Sequence, residues 1–176
     1  LLTLKRDRIP WNIKPVPSRV VALGDVHGDL EGMACILVDR GLIDKKGHWA
    51  GEDTHLVLNG DLVGGRNARL LLQFATRLRK EAAAAGGAIH ALLGNHDVQV
   101  FNKEYEERIG RTLFEQYGVT GARDASPAEA FKGDTPFALW LRRRNSIIRI
   151  GSTIFTHAGL NTWALRHHPA RINATV

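Results

Sequence analysis

Arg19-Val20-Val21-Ala22-Leu23-Gly24-Asp25-Val26-His27-Gly28 is a short apolar run that stops at a glycine and then offers an aspartate and a histidine. The apolar part predicts a buried strand over residues 19–23. The same grammar returns three times. Residues 54–58 predict a second strand that ends at Asn59-Gly60-Asp61, and residues 88–93 a third that ends at Gly94-Asn95-His96-Asp97. Residues 147–150 and 153–155 predict two strands joined by a turn at Gly151-Ser152, the second ending at Thr156-His157-Ala158-Gly159.

Helical spacing fills the intervals. Leu30, Met33, Ala34 and Leu37 share one face, with Gly41 as the stop. Leu71, Phe74, Ala75, Leu78, Ala82 and Ala85 form the apolar stripe of a long helix ended by Gly86-Gly87. Tyr105, Ile109, Leu113 and Tyr117 predict another helix. Thr135-Pro136 predicts an N-cap and first turn for a helix carrying Phe137, Trp140 and Leu141. Strands alternating with helices predict an α/β layered fold, here one domain over residues 1–176. In such sheets ligands bind where loops leave the C-terminal ends of the strands, and every polar cluster above stands at such an end.

Composition is that of an ordinary globular chain, with 44% hydrophobic and 24% charged residues in 176. No apolar run is long enough to span a membrane. The net charge of +6 favours anionic partners. No dense basic block with interleaved aromatics points to nucleic acid; Arg142-Arg143-Arg144 reads as a solvated helix end. Cys35 is the single cysteine, so no internal disulfide can form, and its apolar neighbours predict a buried side chain. A cytoplasmic location is expected over secretion.

Asp, His and Asn side chains suit divalent ions such as Mn, Fe and Zn. One Gly-Asp at a strand end is usually a turn. Four such clusters in this order are hard to obtain by chance. They resemble the signature of the calcineurin-like metallophosphoesterases of the phosphoprotein phosphatase family: Gly-Asp-x-His-Gly, then Gly-Asp-x-Val-Asp-Arg-Gly, then Gly-Asn-His-Glu or Asp, then His-Gly or Ala-Gly. The resemblance covers roughly residues 19–160. Residues 56–63, 81–97 and 140–160 are most similar to the bacterial Shewanella-like branch. Residues 60–63 and 94–97 are also similar to the symmetric diadenosine tetraphosphate hydrolases.

The resemblance implies a calcineurin-like fold and a metal-dependent phosphoester hydrolase. It implies two divalent ions, Mn first and Fe or Zn as alternatives, and a bridging hydroxide that attacks phosphorus. Asp25 and His27 would hold the first ion, and Asp61 would bridge both. Asn95 and His157 would hold the second, with Asn95 also near substrate. His96 would be the general acid, and phosphoprotein the substrate. A nucleotide hydrolase and a non-catalytic binding module are the alternative readings.

Three departures stand against the family pattern. Gly64 replaces the carboxylate expected to orient the acid histidine, and Gly65 the arginine expected to clamp substrate, which leaves Arg66 one position later for that role. No further histidine after His157 matches the remaining metal ligand: His167 and His168 follow too closely and read as surface residues. A second substrate arginine is missing as well. The expectation is a domain incomplete at its C-terminus.

Overall fold

The computed structural model describes residues 9–63, 68–99 and 136–175. Three parallel strands form the first sheet: β2 (Val20–Leu23), β3 (His55–Leu58) and β4 (Ala88–Ala91), in that spatial order. Helix α1 (Leu30–Asp39) connects β2 to β3, and α2 (Ala68–Ala84) connects β3 to β4. These are the βαβ units that the alternating pattern requires. The second sheet has the order β1 (Asn12–Ile13), β5 (Ile147–Ile150), β6 (Thr153–Thr156), with β1 parallel and β6 antiparallel to β5. Short helices α3 (Asn95–Gln99), α4 (Pro136–Arg142), α5 (Thr162–Leu165) and α6 (Pro169–Thr175) complete the described chain.

Alternation of side chains along a strand assigns the two faces of the first sheet. Leu56 and Leu58 of β3 and Ile89 and Ala91 of β4 are buried in one core with Met33 and Leu37 of α1 and Leu71, Ala75, Leu78 and Ala82 of α2. Val57, on the opposite face of β3, packs with Ile13, Ile148 and Ile150 of the second sheet. The result is a helix layer, a parallel sheet and a mixed sheet. All the strand ends with polar clusters open on one rim of this stack. Leu92 continues β4 by bridging to Asn145 of the approach to β5, which joins the two sheets at that rim.

Several local expectations need correction. Cys35 is exposed, because α1 buries the face of Met33 and Leu37 and turns Cys35 away from it. Among the described residues β3 is the one partner of strand β2, which stands at the edge of the sheet with alternate residues exposed. Arg144 is not part of a solvated end: it is half-buried, its guanidinium 4.7 Å from the Trp140 ring centre. Gly64, Gly65 and Arg66 lie outside the described residues, as do Thr135 and the helix expected around Tyr105, Ile109, Leu113 and Tyr117. Among the described residues no helix is long and apolar enough to cross a membrane.

Candidate metal centre

The loops that leave β2 and β3 hold an uncommon backbone. Asp25, His27 and Asp61 have φ of 55°, 46° and 53°, in the left-handed region where a side-chain-bearing residue is strained. The two loops stabilise each other in that shape. Asp25 N donates to Gly60 O at 3.2 Å, His27 N to Asp61 O at 2.9 Å, and Gly28 N to Leu62 O at 3.0 Å. The third loop presses against them closely enough to demand glycines. A Cβ on Gly94 would run into the Asp61 carboxylate, and one on Gly60, at φ 89°, would meet the Gly94 backbone and His157 Nδ1 at 2.8 Å.

Asp97 locks this packing. Asn95-His96-Asp97 forms the first turn of α3, and that turn carries Asp97 into the interior at 1% exposure. Its Oδ2 accepts from Asp61 N at 2.8 Å and Gly94 N at 2.9 Å. Its Oδ1 accepts from Leu62 N and Val63 N, both at 3.1 Å. Burial pushes the carboxyl above its ordinary range; the N–H groups of Gly94, Val63 and Asp61 pull it down, and the neighbouring Asp61 carboxylate adds to the upward push. Asp97 is thus a positioning residue that the sequence reading missed. The available signal was its place inside a strand-end cluster.

The remaining side chains converge. His157, just beyond β6, has Nδ1 2.9 Å from the carbonyl of Asn59, which can only accept, so Nδ1 is the donor there and the neutral ring presents its lone pair at Nε2. That Nε2 lies 3.0 Å from Asn95 Oδ1 and 3.4 Å from Asp61 Oδ2. On the other side of Asp61, His27 Nε2 is 3.7 Å from Asp61 Oδ2 and 3.9 Å from Asp25 Oδ1. Asp61 Oδ1 accepts from His96 N at 2.9 Å. Two sets of three side chains have donor atoms within 4.8 Å of one another, Asp25 with Asp61 and His157, and His27 with Asp61 and His96; Asp61 belongs to both. Asn59 is a second residue the sequence reading left unassigned. Its carbonyl orients His157, and its Nδ2 donates to Thr156 O at 3.0 Å, tying β3 to β6 at the site.

This donor set fits divalent ions. A buried carboxylate, 3% exposed, sits between two clusters of imidazole nitrogens and oxygens, and one imidazole has its second nitrogen anchored on a backbone carbonyl, the arrangement usual for ligating histidines. The other histidines stand elsewhere. His167 Nδ1 is 2.7 Å from Trp163 O, His168 packs edge-on to Trp11, His48 pairs with Glu81, and His55 with His90.

Residues 18–171 match the calcineurin-like phosphoesterase family. The chain belongs to that family. The expected likeness to the Shewanella-like branch is also shown. The chain is 29% identical over 161 residues to Shewanella-like protein phosphatase 1 of Plasmodium berghei (strain Anka), covering 89% of this chain and 42% of that protein. It is 28% identical over 200 residues to Shewanella-like protein phosphatase 2 of Arabidopsis thaliana, covering 91% of this chain and 51% of that one. Among solved structures, the cold-active protein-tyrosine phosphatase of a psychrophilic Shewanella species superposes with a TM-score of 0.77 at 29% identity, over 97% of this chain and 51% of that chain. The chain therefore spans about half the length of these relatives, and the fold of the calcineurin-like family extends across the described elements.

Proposed function

We propose that this chain carries the metal-binding half of a phosphoric-ester hydrolase acting on phosphorylated Ser, Thr or Tyr in proteins. The observation that carries the reading is the position of Asp61, one buried carboxylate shared by two clusters of metal-competent donors. The substrate class is supported by the relatives, which are called protein phosphatases and, in the solved structure, a protein-tyrosine phosphatase.

By the family resemblance Asp25, His27 and Asp61 would hold one divalent ion, and Asp61, Asn95 and His157 a second, with Mn the first choice and Fe or Zn the alternatives; the close sets in the structure share Asp61 but place Asp25 with His157 and His27 with His96. When bound, such a pair supplies Lewis acidity toward phosphoryl oxygens and makes water ionisable near neutral pH. The chain's own residues do the rest. Asp97 and the three left-handed residues hold the carboxylates at fixed separation before substrate arrives. The Asn59 carbonyl keeps the His157 proton on Nδ1, so that Nε2 stays available. His96 holds a ring proton and delivers it to the leaving oxygen. For the phosphate contact the sequence offers Arg66, which lies outside the described residues.

Metal content by mass spectrometry, combined with turnover, tests this. Asp61→Asn should lower the content of both ions, because the lost charge serves each; unchanged content would remove the bridging role. His96→Asn should leave metal content nearly intact. It should reduce phosphoserine turnover by roughly 10²–10⁴-fold while affecting p-nitrophenyl phosphate less, since that leaving group hardly needs a proton. Equal losses on both substrates together with loss of metal would make His96 a ligand, a role its grouping with His27 and Asp61 also allows. Turnover of diadenosine tetraphosphate in preference to phosphopeptides would overturn the substrate class. Metal binding without turnover of any of these substrates would make the protein a binding module.

A further inference from the structure

A cavity of about 240 Å³ lies away from the metal centre, between α2, β4 and the start of β5. None of Asp25, His27, Asp61, Asn95 or His157 lines it. Its wall is mostly apolar, with Ala83 of α2, Ala88 and Ile89 of β4 and Ile148 of β5. Two arginines complete the lining, Arg79 from α2 and Arg144 from the turn after α4.

The charge there is unbalanced. Among the described residues no carboxylate pairs with either arginine, and the Arg–carboxylate pairs found there are Arg40 with Asp39 and Arg77 with Glu81. Arg144 is nevertheless held in place. Its Nε donates to Trp140 O at 2.9 Å and its guanidinium stacks on the Trp140 ring. That leaves the terminal N–H donors of a fixed, planar fork without an acceptor among the described residues. Burial first, then the like charges of Arg79 and Arg143, pull its pKa down to about 10, so it stays charged at neutral pH. His90, the other titratable group lining the cavity, is neutral there, with its Nε2 3.1 Å from His55 Nδ1. A half-buried cation beside a second cation is costly without an anion, and a preorganised guanidinium fork matches a carboxylate or phosphate group.

We propose that this cavity binds a small organic anion, a carboxylate or phosphate group carried on a short apolar body, with Arg79 and Arg144 gripping the charge and the β4 wall covering the body. The site is separate from the metal centre and does not depend on the hydrolase reading.

The test uses the full ¹⁵N-labelled chain titrated with hexanoate, hexyl phosphate and hexanol, followed through backbone amides. Hexanoate or hexyl phosphate should move the amides of residues 88–92, Arg79 and Arg144, at concentrations at least about tenfold below those at which hexanol does so. Whichever headgroup binds more tightly identifies the source of the charge. Arg79→Ala and Arg144→Met should each weaken that binding by about tenfold, the loss expected for one charged hydrogen-bond partner. Arg79 is exposed, so its variant tests the site even where Arg144→Met disturbs folding. Equal binding of hexanol, shifts confined to the loops at Asp25 and Asp61, or an Arg79→Ala variant within about twofold of the parent would overturn the proposal.

Discussion

Asp97 and Arg144 are both charged side chains taken into the protein interior, and the protein treats them in opposite ways. Four backbone N–H groups from two loops converge on the Asp97 carboxylate. Arg144 receives one backbone carbonyl and an aromatic face, beside two further arginines. A buried charge that is fully solvated by backbone dipoles has become part of the scaffold. A half-buried charge that is only positioned, with donors to spare, is available to something else. The contrast predicts that the first should matter for stability and the second for binding.

The largest effect is expected at Asp97. Asp97→Ala leaves four buried N–H donors without an acceptor and should cost about 3–5 kcal/mol in urea unfolding, with metal binding lost in parallel. Asp97→Asn keeps one acceptor oxygen but turns an NH₂ toward the same donors, so it should fall in between. A loss below about 1 kcal/mol for the alanine variant would dissolve the contrast.

Next comes acid sensitivity at His90, a third interior titratable group. Burial, followed by the neighbouring His55, pulls its pKa from 6.5 to about 4. The unfolded chain takes up that proton near pH 6.5 and the folded chain only near 4. Stability should therefore fall as pH drops through this window, by about 3 kcal/mol in total. Asp44 and Glu81 are both held below their ordinary carboxylate values, first by the backbone N–H groups of His48 and Trp49 respectively. His90→Gln should remove most of the slope in chemical denaturation measured between pH 7 and pH 4; an unchanged slope would assign the sensitivity elsewhere.

The smallest effect is expected at Arg144. Arg144→Met loses the bond to Trp140 and relieves an uncompensated charge, terms of opposite sign, so unfolding should shift by no more than about 1 kcal/mol. A loss above about 3 kcal/mol would make Arg144 a structural cation like the carboxylate it is compared with.

The parallel sheet was legible because each strand is a compact apolar run closed by glycine, and each connecting helix has one clean stripe. The predicted runs at 54–58 and 147–150 match β3 and β5 to within a residue. Strand β1 was not legible: Asn12–Ile13 lies between Pro10 and Pro15, and two residues carry no periodicity. The burial of β2 was overread, because an apolar run does not say whether both its edges are paired. At the metal centre the side chains with obvious donor chemistry could be named from their places at strand ends. The supporting contacts could not. The grip of Asp97 on the amides of Asp61 and Gly94, and of Asn59 on His157, depends on loops from distant strands meeting in space. Arg144 was misjudged for the same reason, since three arginines in a row look solvated until Trp140 is known to lie under one of them.

The left-handed backbone at Asp25, His27 and Asp61 has a consequence for engineering. Each is a position where glycine would sit with less strain, roughly 1 kcal/mol easier for the folded chain. Glycine also adds freedom to the unfolded chain, so selection for thermal tolerance alone would be close to indifferent between glycine and the native side chain at residues that the candidate centre can least spare. A stabilised library of this protein should be screened for retained metal before it is screened for melting temperature.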